Sequence, residues 1–156
     1  MTKVSEGHKV FGIGFHKTGT TSLKRALEQL GYRVTGPNGG RDPRIEGRAL
    51  EIALDLVPQY DAFQDNPWPL LFRAMDERFP GSRFILTVRP SEDWLRSVLR
   101  HFGSGSTPMR EWIYGAGSPM GNEQSYVERM EAHNDEVRRH FRDRPDDLLE
   151  LRLTEG

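Results

Sequence analysis

A chain of 156 residues has room for one hydrophobic core and not for two, so a single domain over residues 1–156 is expected. Its formal net charge of −1 leaves no basic excess to neutralise phosphates, which argues against nucleic acid as an electrostatic partner. The lack of cysteine excludes disulfides, zinc thiolates and thiol catalysis. No apolar run approaches membrane-spanning length and the N-terminal MTKVSEGHKV has no signal-peptide core, so a cytoplasmic protein with no membrane partner is expected.

In chain order, the β-prone run Lys9–Phe15 predicts a first strand. It empties into a loop with Gly14 and Gly19, and a helix over Thr21–Leu30 follows, with Leu23, Leu27 and Leu30 on one face and Gly31 as its stop. Tyr32–Thr35 reads as a short strand, Gly36–Pro43 as a turn, Arg44–Val57 as an amphipathic helix and Asp61–Gln64 as a third strand. Trp68–Phe79 reads as helical up to Pro80-Gly81. Arg83–Val88 (RFILTV) is apolar enough for a central parallel strand. Ser91 is expected to cap a helix that runs to Phe102, with His101 near its C-cap. Gly103–Gly121 reads as a long functional loop, Glu123–Arg142 as a helix and Asp147–Leu153 as a last strand. Alternating strands and helices predict a three-layer α/β/α fold with a mainly parallel sheet of P-loop-like design.

Strand, Gly-rich loop and helix build an anion site, because the first N–H groups of a helix have no internal partner and carry the positive end of its dipole. In VFGIGFHKTGTTSL (Val10–Leu23), Lys17 adds a full charge and Thr18, Thr20, Thr21 and Ser22 add hydroxyls, with His16 beside them. Gly14 and Gly19 keep the spacing of GxxxxGK[ST], yet Thr20 stands where that motif has its lysine. The shifted lysine speaks against an NTPase, although a nucleotide kinase of similar architecture remains the alternative. At the end of RFILTV, Arg89 with Ser97 eight residues on supplies a second anion site, expected at the same sheet edge because parallel strands share one C-terminal side.

Together these features resemble the sulfotransferases that use 3′-phosphoadenosine 5′-phosphosulfate (PAPS). In that family a KxGTT loop binds the 5′-phosphosulfate, which matches Lys17, Gly19, Thr20 and Thr21, and an arginine and a serine hold the 3′-phosphate, which matches Arg89 and Ser97. Ala62–Pro67 (AFQDNP) is similar to the strand end carrying the family's catalytic base, at Asp65. The resemblance implies metal-independent, in-line sulfuryl transfer to a hydroxyl or amine of a small-molecule acceptor. Lys17 and Asp65 would be catalytic, and His16, Lys17, Thr18, Gly19, Thr20, Thr21, Ser22, Arg89 and Ser97 would bind the donor. Many members close over the 3′-phosphate with a C-terminal Gly- and basic-rich loop; the sequence reaches Gly156 without one, so a compact form or a shortened nucleotide-binding domain is a third reading. Acceptor contacts are expected from Gly36–Pro43 and Gly103–Gly121, with Trp112 favoured over Trp68 and Trp94, and His133 is expected to be structural or exposed.

Overall fold

Five strands, β1 (Val10–Gly12), β2 (Val34–Thr35), β3 (Ala62–Phe63), β4 (Arg83–Val88) and β5 (Leu148–Arg152), form one parallel sheet in the computed structural model, which describes residues 8–152. The strand order is β2-β3-β1-β4-β5. Each strand continues into its connection at the same edge, so the chain segments that follow β1, β3 and β4 emerge side by side. From β1 the chain turns towards β2 and from β4 towards β5, which opens the crevice that such sheets use for ligands.

The helices are α1 (Thr20–Gln29), α2 (Ile45–Leu56), α3 (Phe72–Arg78), α4 (Ser91–Phe102), α5 (Pro108–Tyr114) and α6 (Glu123–His140). Strand side chains alternate between two faces. On one face Phe11, Phe63, Phe84 and Leu86 pack with Ala53 of α2, Met75 of α3 and Val137 of α6. Phe11 stacks between Phe63 and Phe84, with ring centroids at 5.1 and 5.3 Å. On the other face Val10 and Ala62 meet Leu23 and Leu27 of α1. This gives the three-layer α/β/α architecture that the alternating pattern predicts. A third cluster sits beyond the strand ends, where Phe15 is packed among Trp94 of α4, Ile113 and Tyr114 of α5 and Tyr126 of α6.

Several local expectations are corrected. Pro58 ends α2 in a 3-10 turn over Val57–Gln59, and Trp68–Leu71 is a 3-10 turn that precedes α3. Ser91 does not cap α4; Pro90 holds the N-cap position, and the Ser91 hydroxyl donates to Glu131 at 2.6 Å. Gly103, with φ 54°, is the residue that stops α4, so His101 stays inside its last turn. Residues 103–121 are not one loop. Thr107 accepts from the Arg110 N–H at 3.2 Å and Pro108 occupies the first turn, which starts α5 in the middle of the stretch. β5 ends at Arg152 in the described chain, and Leu153 lies outside it.

Gly14 is a glycine for lack of space. A Cβ there would overlap the backbone and hydroxyl of Thr87 on β4. Gly14→Ala is therefore expected to cost about 1–3 kcal/mol, read as a lowered midpoint in urea unfolding.

Candidate active site

The loop between β1 and α1 is held by its carbonyl oxygens. His133 of α6 bonds the Ile13 carbonyl at 2.7 Å, the Thr18 hydroxyl donates to that of Phe15 at 2.5 Å, Trp94 Nε1 to that of His16 at 2.8 Å, and Arg89 Nη1 to that of Lys17 at 3.2 Å. In a planar trans peptide the C=O and the following N–H point in opposite directions. Fixing the carbonyls of Phe15, His16 and Lys17 therefore turns the N–H groups of His16, Lys17 and Thr18 the other way. Neither the His16 nor the Lys17 N–H has a hydrogen-bond partner among the described residues, while the Thr18 N–H closes the turn at His16–Lys17. The free N–H groups of the first turn of α1 continue the row.

This row opens on a cavity of about 270 Å³. His16, Lys17, Thr20 and Thr21 line it from the β1–α1 side, and Asp65 and Asn66 from the end of β3. Pro37, Gly40 and Arg41 contribute from the 36–43 turn, and His101, Phe102, Thr107, Met109 and Arg110 from α4, α5 and their link. Lys17 (φ 63°) and Asp65 (φ 68°) are the two non-glycine residues with positive φ among the described residues. That conformation costs of order 1–3 kcal/mol at each position and persists where the surroundings over-determine it. Both residues border the same cavity.

Asp65 accepts from the Asn66 N–H at 2.7 Å and from the Thr20 hydroxyl at 3.4 Å. Burial nevertheless lifts its carboxyl above the usual range, with the two hydrogen bonds and the Lys17 charge pulling back. A carboxylate so placed is a stronger base than one in water. His16 is buried: its Nδ1 takes Asn66 Nδ2 at 3.3 Å, and its Nε2 meets the Tyr114 hydroxyl at 2.7 Å. Desolvation pushes its pKa down to about 3, with Arg110, Lys17 and His101 adding to the effect, so the ring is neutral. Burial likewise raises Tyr114 well above 10 and keeps it a phenol.

The other expected residues divide. The Thr18 hydroxyl is consumed at the base of the loop, where it also meets Thr87 Oγ1 at 2.6 Å. Thr21 reaches the cavity wall, while Ser22 is exposed one residue further into α1. Arg89 borders a second concavity of about 240 Å³ beside α6 and meets the main site through the Lys17 carbonyl. Ser97 is half-buried on α4, outside the lining of either cavity. Trp112 is corrected: it packs against the cluster around Phe15, and its neighbours Met109 and Arg110 line the cavity in its place. Sequence reasoning missed Arg110, Asn66 and Tyr114 and took His101 for a cap. The Thr107-Pro108 pair was the signal that could have located α5 and hence the face bearing Arg110.

Acid should weaken this fold. His16 and His133, the latter lowered by burial to about 4, titrate near 6.5 when unfolded. Between 6.5 and about 4 the unfolded chain binds more protons than the folded one, so stability falls as pH is lowered, by up to about 1.4 kcal/mol per pH unit for each histidine. Asp65, with its raised pKa, opposes this as one group against three histidines, His101 being lowered as well. Urea midpoints at about pH 7 and about pH 5 are expected to show the loss, and His133→Gln to reduce the difference by roughly half.

No curated protein is similar enough to the chain to count as a match. The model of the sulfotransferase domain matches residues 9–122, from the residue before β1 to the one before α6. α6 and β5 lie beyond that stretch, although α6 supplies the His133 clamp on the loop. The match covers most of the chain and takes in the loop, the base of the cavity and four of the five strands, so the chain belongs to the sulfotransferase domain family.

Proposed function

We propose that this protein transfers a sulfuryl group from PAPS to a hydroxyl or amine of a small-molecule acceptor, in line and without a metal. The observation that carries the reading is the pairing of Lys17 and Asp65, the two residues held at positive φ, on one cavity at the strand ends. A cation with a row of free N–H groups suits a phosphosulfate, and a carboxylate of raised pKa suits proton removal.

Each residue then has a defined task. Asp65 takes the proton from the acceptor. Lys17, the N–H groups of His16 and Lys17, and the first turn of α1 with Thr20, Thr21 and Ser22 stabilise charge as it grows on the leaving phosphate. Arg89, at the end of β4, and Ser97, on α4, hold the 3′-phosphate and supply positioning. PAPS itself brings the activated sulfuryl group. Thr18 and Gly19 act through loop shape, since the Thr18 hydroxyl is engaged and Gly19 has φ 108°. His16 stays neutral beside the site and orients Asn66 and Tyr114.

Adenosine 3′,5′-bisphosphate (PAP) at about 100 Kd should stabilise the protein by roughly 2.7 kcal/mol in a thermal shift, while ATP–Mg²⁺ should not. Stabilisation by ATP–Mg²⁺ instead would favour a phosphotransferase. Asp65→Asn keeps a side chain that accepts positive φ and should keep PAP binding while lowering kcat about 10²–10⁴-fold. Lys17→Asn, chosen for the same backbone reason, should lower kcat on the order of 10²-fold or more. Arg89→Ala should act chiefly on PAP affinity.

A further inference from the structure

Arg110 is the one Arg, Lys, Asp or Glu among the described residues that is buried, at 7% exposure. Its Nε donates to the Gly117 carbonyl at 2.9 Å, its Nη2 to the Gly105 carbonyl at 2.8 Å, and its guanidinium lies 4.1 Å over the Phe102 ring. No carboxylate pairs with it among the described residues, and its chain neighbour Glu111 is exposed. Carbonyl dipoles and a ring face offset only part of the cost of burying a full charge. The residue also lines the cavity that holds Lys17 and Asp65.

The opposite loop repeats the pattern. Arg41 lines the same cavity and has no ion pair among the described residues, while the acid beside it, Asp42, is taken by Arg48 Nη1 at 2.6 Å and by the Arg44 N–H at 2.8 Å. The Met109 N–H bonds the Gly40 carbonyl at 3.3 Å, which ties α5 to the 36–43 turn and makes one wall of the two. The cavity therefore carries three cations, Lys17, Arg41 and Arg110, against one carboxylate, Asp65, in a chain of net charge −1. His16 and His101 both have pKa values lowered by burial first and then by Lys17 and Arg110, as a positive potential in the cavity requires.

We infer that the acceptor is itself a small anion, whose carboxylate or phosphate group is held by Arg110 and Arg41 on the wall built from the 36–43 turn and α5, while its hydroxyl or amine faces Asp65. The N–H groups of Arg110 not taken by the Gly117 and Gly105 carbonyls, together with the Arg41 guanidinium, match the oxygens of either group. Phe102 and Met109 add an apolar surface for the carbon skeleton, and a cavity of about 270 Å³ shared with the phosphosulfate limits the acceptor to about one ring at most. The inference rests on the sulfuryl-transfer reading and names the substrate class for that site.

The test is calorimetric titration of the PAP-saturated protein with two matched pairs of phenols: para-hydroxyphenylacetate against para-hydroxyphenylacetamide, and para-hydroxyphenyl phosphate against para-methoxyphenol. At least one anion is expected to bind on the order of tenfold more tightly than its neutral partner. Arg110→Gln should remove most of that preference, and Arg41→Ala, an exposed position with no bearing on the core, should reduce it several-fold with neutral-probe binding unchanged. Should Arg110→Gln fail to fold, Arg41→Ala decides alone. Equal affinities within both pairs, a preference that survives the substitutions, equal losses for charged and neutral probes, or anions that compete with PAP overturn the inference. PAP stabilisation without any charge preference removes the inference and leaves the transfer reading; no stabilisation by PAP removes both.

Discussion

The structure depends on how the β1–α1 loop is gripped. Four of its carbonyl oxygens accept hydrogen bonds from His133, Thr18, Trp94 and Arg89, three of which come from other elements. A loop free to rotate its peptides would present carbonyls and N–H groups alike to an anion, and attraction and repulsion would cancel. Anchoring the carbonyls leaves one sign of dipole facing the cavity, set before any ligand arrives. Gly14 makes the grip possible, because only a residue without Cβ lets the chain lie against Thr87. The buried cluster of Phe15, Trp94, Tyr114 and Tyr126 then keeps the clamping side chains in place, with Tyr114 and Tyr126 stacked at 3.7 Å.

That grip also explains where backbone strain can be held. Lys17 and Asp65 keep left-handed conformations that side chains disfavour, and each is flanked by fixed groups: the Arg89 contact on the Lys17 carbonyl, and the Asn66 and Thr20 bonds on the Asp65 carboxylate. Part of the support comes from α6, outside the stretch that the family model matches. A site assembled by residues 9–122 is thus held in shape by a helix contributed later in the chain.

Charge is distributed unevenly for a nearly neutral chain. Outside the lining of that cavity, Arg138 of α6 pairs with Glu150 of β5 at 2.9 Å and Arg144 with Asp76 of α3 at 2.5 Å, both with exposed arginine side chains. Pairs of that kind contribute little to stability in water. Carboxylates are thereby engaged away from the cavity, where positive groups outnumber negative ones. The buried guanidinium of Arg110 feels that imbalance most, because low-dielectric surroundings screen it least.

The sequence alone determined the layers, the five strands and the place of the β1–α1 loop, since each rests on local pattern: short β-prone apolar runs, period-3.6 helices, glycines at fixed offsets and a lysine among hydroxyls. It also singled out Lys17 and Asp65, whose residue types stand next to strand ends that any parallel sheet would bring together. It could not say which loop hydroxyl faces a ligand and which braces the backbone, and Thr18 proved to brace it. Nor could it show that Trp94 and His133, separated from the loop by tens of residues, hold the loop's carbonyls, or that Arg110 is buried at the cavity while Trp112 turns to the core. Those outcomes depend on side-chain direction at contacts distant in sequence. A residue's periodicity names the face it occupies; only the packing of that face against the rest of the chain decides what the side chain meets there.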